Sequence, residues 1–392
     1  MSMSPAASPP ASSLEALLRD RIRHCQGLDF AQFMELCLYH PQFGYYMAPR
    51  ERIGKQGDFF TSSSVHALFG GLIARQLHEM WQLLGAGPFT LAEQGAGEGH
   101  LAKDILDAVA AEFPAFYQNL GYALVEISPD NRQRQQAMLS PHGERLRWCN
   151  LEELDGMEGC VLSNELLDAF PVHLLEKQDG ELKEVFVTLR GETISEELRP
   201  LTNPALLSHL QSQRLQPVEG NRMEVNLAAP AWIAQVGRLL KRGFVLTIDY
   251  GYPAAELYAP FRRNGTLMCF HRHSSSDNPY QRFGEQDITA HVDFTAIEGC
   301  GQAAGLERLY FGEQYRFLMG LGFVEALMEL QARESDERKA QALRMTLKTL
   351  ILPDGGMGET FKVLIQGKGV GRPTLLCQRS MADIARTAAG LG

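Results

Sequence analysis

The chain has few cysteines, less base than acid and no long apolar run, and each shortfall closes off a class of protein. Its 392 residues include seven cysteines, and no two of them form a C-x-x-C pair. An odd count resists a complete disulfide framework, and the spacing offers no zinc-type ligand set. Free thiols in a reducing compartment are expected, and with them a cytoplasmic location. Lys and Arg total 37 against 47 Asp and Glu, a formal net charge of −10. Such a charge repels a polyanionic backbone, so nucleic acid is not an expected partner. Charged or polar residues interrupt every apolar stretch well before the roughly 18 residues a membrane helix needs, so a soluble protein without membrane insertion is expected. Met1 to Ser13 is rich in Ser, Pro and Ala, with neither the apolar run of a signal peptide nor the Arg-rich face of a transit peptide, and reads as a disordered lead. Internal repeats of solenoid length are also missing.

What is present is enough apolar residue, 45% of the total, to bury a large core. From Leu14 to Leu38 the apolar residues recur at helical spacing, and a second helical run covers Val65 to Leu84. From Phe89 onward strand and helix signals alternate: a strand to Glu93, a helix from Leu101 to Phe113, a strand over Tyr122–Ile127 and a helix after Pro129. Further strands are expected at Arg145–Trp148, Cys160–Ser163, Phe244–Ile248 and Phe361–Ile365. Alternation of this kind predicts an α/β fold around a parallel sheet. Two strand-like runs flank Asp179-Gly180, which predicts an inserted hairpin. The expected organisation is a lead over 1–13, an N-terminal helical and loop region over 14–86 covering the active site, a core over 87–368 with an insertion about 172–227, and a tail over 369–392.

The stretch Glu93-Gln94-Gly95-Ala96-Gly97-Glu98-Gly99 joins the first core strand to the next helix. Its glycines let the backbone turn tightly beside a ligand at a helix N-terminus. The spacing is G-x-G-x-G behind an acid, whereas the dinucleotide fingerprint is G-x-G-x-x-G. S-adenosylmethionine is therefore expected as cofactor, ahead of NAD and an oxidoreductase. In a doubly wound sheet the ligand lies over the carboxyl ends of the strands. Glu126, ending the second strand, is placed to accept from both ribose hydroxyls; alone, such an acid is usually solvated, but its separation from the glycine loop reverses that reading. Ile127 beside it, and Asn150 and Leu151 after the third strand, are expected to complete the cofactor contacts with Glu93, Gly95, Gly97 and Gly99.

Asn164, Glu165 and Asp168 follow the fourth strand, where cofactor and acceptor would meet. Carboxylates there suit a cationic nitrogen acceptor and its departing proton, although Asn164 as a helix cap and Asp168 as a solvated acid are the plain alternatives. His271, His273, Asp287, His291 and Asp293 form a second polar concentration. With no H-x-x-x-H pair and no Cys partner, no metal is expected, and His291 is the candidate for an acceptor-side base. Tyr45, Tyr46, Phe59 and Phe60 are expected mainly in the core, with Asp58 and Thr61 among them as cofactor contacts.

Gly57-Asp58-Phe59-Phe60-Thr61, Glu93 to Gly99, Val125-Glu126-Ile127-Ser128, Asn164 to Val172, Asp249-Tyr250-Gly251-Tyr252 and Asp287 to Phe294 occur in an order that resembles the MidA family of class I S-adenosylmethionine-dependent methyltransferases. The resemblance runs from about Phe30 to Lys362. It implies a Rossmann-like, seven-stranded, mostly parallel sheet with its last strand antiparallel, helices on both faces and added elements that narrow the acceptor site. It also implies methyl transfer to nitrogen, with an arginine of a protein partner such as a respiratory complex I type subunit as the acceptor and Asn164 close to the methyl group. A non-catalytic assembly factor that keeps the cofactor pocket is the alternative. Where the family commonly has Gly-Pro-Gly-Arg-Gly after an apolar residue, this chain has Gly95-Ala96-Gly97-Glu98-Gly99 after Gln94, and His271 stands where a Tyr is usual.

Overall fold

In a computed structural model the residues described are 13–49, 66–333, 335–352 and 358–380. Seven strands build the central sheet: β1 (Phe89–Gln94), β2 (Leu120–Val125), β3 (Leu146–Trp148), β4 (Met157–Asn164), β5 (Leu240–Tyr252), β6 (Glu307–Glu313) and β7 (Phe361–Lys368). Their order is β6-β7-β5-β4-β1-β2-β3, and a two-residue strand, Val292–Asp293, pairs with the end of β5. β7 runs antiparallel to β5 and β6, while the β5-β4-β1-β2-β3 pairings are all parallel. This is the seven-stranded, mostly parallel arrangement expected from the sequence.

Both faces of the sheet are covered, which explains the nearly continuous apolar runs of its strands. Leu91, Leu124, Leu162 and Leu246 face one core, shared with α3 (Leu68–Leu83) and α4 (His100–Glu112). Their neighbours Ala92, Ala123, Val161 and Val245 face a second core, with Trp232, Ile233, Phe294 and Ile297 from the helices Ala228–Leu239 and Phe294–Ala303. The alternation is the two-residue period of a pleated strand.

Between β4 and β5 the chain leaves the sheet. His173–Gln178 and Glu181–Arg190 form the expected hairpin, with Asp179 and Gly180 at φ 57° and 80°, the left-handed pair such a tight turn demands. Thr193–Pro200, Arg222–Val225 and the N-terminal Leu28–Asp29 extend it to five strands. Against this sheet lie α1 (Leu14–Cys25) and α2 (Phe30–Tyr39): Leu18, Ile22, Phe30 and Phe33 pack with Leu174, Val185 and Val187. The stretch read as one N-terminal region thus serves two cores, α1 and α2 the inserted sheet and α3 the central one.

Three features were not expected. β6 is an edge strand whose partly exposed, charged sequence hides its period. A small sheet of Met268–His271, Ser274–Ser276 and Asp287–Thr289 also escaped notice. The start of the presumed tail is structural: Leu375 and Cys377 are buried, and the Leu376 and Cys377 amides donate to Glu79 and Gln76 on α3. All seven cysteines are free thiols, and among the described residues no helix is long and apolar enough to cross a membrane.

Candidate active site

The glycine loop leaves β1 with Gly95, Gly97 and Gly99 at φ 73°, 55° and 95°, a left-handed region that L side chains rarely adopt. A Cβ on Gly95 would lie 2.8 Å from Leu166 Cδ1, so the loop also passes closely under the segment after β4. Gly99 caps α4. Gln135, on α5 (Pro129–Met138), donates to the Gly97 carbonyl at 2.7 Å and to Glu126 Oε2 at 3.3 Å, and accepts from Trp148 Nε1 at 2.8 Å. One buried amide therefore links the glycine loop, the end of β2 and β3. Glu126 also accepts from the Ser128 amide at 2.8 Å and from Asn131 Nδ2 at 3.3 Å. Burial raises its carboxyl above the ordinary value, and these donors oppose the rise.

Above the carboxyl ends of β1, β2 and β4 lies a cavity of about 550 Å³, within the range of small-molecule sites. Gly95, Gly97, Glu126, Ile127 and Glu165 line it from the central sheet, and Glu35, Tyr39 and Tyr46 from the N-terminal side. Ile127 is 61% exposed, an apolar side chain left uncovered beside the acid. The glycine curvature, the acid after β2 and the volume together fit an adenosyl cofactor.

Glu165 sits at φ 52°, where its backbone N–H donates a hydrogen bond to the Ile248 carbonyl at 2.9 Å. Its carboxylate accepts from Asn164 Nδ2 at 3.1 Å and from the Tyr250 hydroxyl at 3.3 Å. Asp249 anchors the following turn, accepting from the Leu166 and Leu167 amides at 3.1 and 2.8 Å. Asp168 lies behind the wall. Burial, then repulsion from Asp249, Asp287 and Glu165, pushes its carboxyl well above the usual range. Asn164 Oδ1 is buried and has no partner among the described residues.

Several expected site residues lie off the cavity wall. Glu93 is buried beneath the loop, accepting from the Tyr122 hydroxyl at 2.6 Å, and burial pushes its carboxyl up to about 7. Asn150 caps the short helix Leu151–Leu154 with Glu153, and Leu151 is buried in the second core. His291 packs against Tyr250 and Tyr252 at 6.2 and 5.4 Å, and burial lowers its imidazole to about 4. His291, expected as an acceptor-side base, does not line the cavity. His271 bonds the Glu285 carbonyl, Asp287 accepts from Tyr46, and Asp293 caps a helix, so the second polar concentration is dispersed among structural tasks. Asp58, Phe59, Phe60 and Thr61 lie outside the described residues. Sequence reading missed Glu35 and Tyr39, which carry no motif; only their four-residue spacing on α2 hinted at a shared face. It also missed a close group of Asp29, His173 and Glu184, in which His173 pairs with Glu184 at 2.7 Å and Asp29 caps α2.

Residues 72–312 match the sequence model of a family described as "Putative S-adenosyl-L-methionine-dependent methyltransferase". The chain is 29% identical over 391 residues to the mitochondrial protein arginine methyltransferase NDUFAF7 homolog of Drosophila melanogaster, covering 91% of this chain and 85% of that one. With the human mitochondrial protein arginine methyltransferase NDUFAF7 the identity is 26%, over 91% and 83% of the two chains. A Burkholderia thailandensis protein crystallised with S-adenosyl-homocysteine superposes with a TM-score of 0.83 at 33% identity, covering 93% of this chain and 94% of that one. The mitochondrial names overturn the cytoplasmic location expected from composition. Unpaired thiols report a reducing milieu and cannot tell one such compartment from another. The match covers more than half of the sequence, and the chain belongs to this family: it is a methyltransferase whose cofactor is S-adenosyl-L-methionine.

Proposed function

We propose that the methyl acceptor is a guanidinium nitrogen of an arginine in a protein partner. The character of the cavity carries this reading: Glu35, Glu126 and Glu165 reach its wall, and among the described residues no Lys, Arg or His does. A guanidinium is cationic at any physiological pH and is drawn to such a wall, whereas a phenolate or carboxylate acceptor is repelled. The names of the Drosophila and human relatives support the same acceptor. The family resemblance adds a respiratory complex I type subunit as the partner.

In this scheme Gly95, Gly97, Glu126 and Ile127 hold the adenosyl group, with Glu126 accepting from the ribose. When bound, the cofactor supplies a methyl group on a sulfonium centre that departs as a neutral thioether. Glu165, oriented by Asn164 and Tyr250, pairs with the guanidinium beside the reacting nitrogen. The free Asn164 Oδ1 accepts a second N–H. As the new N–C bond forms, the nitrogen loses a proton to the Glu165 carboxylate, which lines the cavity, whereas Asp168 lies behind the wall.

The test is transfer of tritiated methyl from S-adenosylmethionine into a protein extract, followed by acid hydrolysis and chromatography. Label co-eluting with methylarginine supports the reading. Label confined to methyllysine, methylhistidine or base-labile esters, or no labelled protein at all, overturns it.

A further inference from the structure

Two residues of α2 reach the cavity wall, Glu35 and Tyr39, one turn apart. Their positions are fixed at several points. The Tyr39 hydroxyl donates to the Ala169 carbonyl at 2.9 Å, in the segment just after Glu165. Its ring stacks on Tyr46 at 5.5 Å, and the Tyr46 hydroxyl donates to Asp287 at 2.8 Å. At the other end of the helix, Asp29 and Gln32 close a capping box. The helix is thereby tied to the loop that carries Glu165.

The other two carboxylates that line the wall already have donors: Glu126 has Ser128, Asn131 and Gln135, and Glu165 has Asn164 and Tyr250. Of the three carboxylates on the wall, Glu35 alone makes no hydrogen bond or ion pair among the described residues. A carboxylate with no partner among the described residues, on a locked helix and facing a wall to which those residues bring no basic side chain, is organised in advance for a cation. On the arginine reading above, we propose that Glu35 is the second carboxylate of the acceptor site, pairing with the guanidinium from the α2 side while Tyr39 positions it. A guanidinium offers five N–H donors in one plane, so two carboxylates can be served on different edges while one nitrogen stays turned toward the methyl group.

The test uses the full chain saturated with S-adenosyl-homocysteine, titrated by NMR with Nα-acetyl-arginine amide and with its neutral isostere Nα-acetyl-citrulline amide. The wild type should favour the arginine probe by at least about tenfold, and Glu35→Gln should lose about tenfold in arginine affinity with citrulline unchanged. Tyr39→Phe should lower the same preference in part. Should the wild type favour arginine and Glu35→Gln favour it equally, the role of Glu35 is refuted and the arginine reading stands. A wild type that does not distinguish the probes removes both. Loss of S-adenosyl-homocysteine affinity in Glu35→Gln would move the residue to the cofactor and overturn the proposal.

Discussion

Replacing Glu93 by Gln should stabilise the protein at pH 8 and leave it nearly unchanged at pH 4. Glu93 is 2% exposed, and its nearest donor is the Tyr122 hydroxyl. Burial outweighs that hydrogen bond and raises the carboxyl from 4.5 to about 7. A folded acid with a raised pKa keeps its proton where the unfolded chain has lost it. Folding therefore takes up a proton between pH 4.5 and about 7, and stability falls as the pH climbs through that window. The full difference is worth about 3 kcal/mol above pH 7. Gln still accepts the Tyr122 hydrogen bond through Oε1 but never ionises, so this loss disappears. Urea unfolding of both proteins from pH 4 to 8 reads the gap directly. A gap that stays constant with pH, or a variant weaker than wild type at pH 8, would refute the account. Because Glu93 lies beneath the glycine loop and off the cavity wall, affinity for S-adenosyl-homocysteine should change by less than about threefold.

Three other substitutions probe the site. Gly97→Val forces a β-branched residue to φ 55°, so a folded variant should show no calorimetric binding of S-adenosyl-homocysteine; wild-type affinity would count against the loop as the cofactor contact. Glu165→Gln should cut methyl transfer by about a hundredfold with cofactor affinity retained, and unaltered turnover would remove Glu165 from the chemistry. Asp249→Asn leaves a buried backbone amide short of an acceptor and should cost about 2 kcal/mol in chemical denaturation; no measurable loss would mean that the turn after β4 does not depend on it.

The central sheet was legible because its strands are buried on both faces and its loops carry chemical punctuation. Leu91, Leu124, Leu162 and Leu246 sit in apolar runs, and the glycines after Gln94 mark where the first strand turns into α4. β6 was hidden for the opposite reason: at the sheet edge, Glu307 and Arg308 face water, the other five residues are all half-buried, and no alternation shows. Glu126 was recognised from its distance to the glycine loop, a local relation. Glu35 and Tyr39 reach the cavity through tertiary packing of α2 on the inserted sheet, and no spacing in the sequence connects them to β1 or β4. Glu93 shows a further limit: its position in the motif suggested a ligand contact, while the pleat of β1 turns its side chain under the loop toward Tyr122.

The short pairing of Leu28 and Asp29 with Phe186 and Val187 makes two distant stretches of chain one folding unit. Deleting the first helices would leave Leu174, Val185 and Val187 bare, and deleting the insertion would strand Phe30 and Phe33. Neither piece can be exchanged as a module. A packing change on the inner side of the inserted sheet would travel along α2 and shift the wall that Glu35 and Tyr39 give the cavity, so the shape of the site can drift through positions that never touch what it holds.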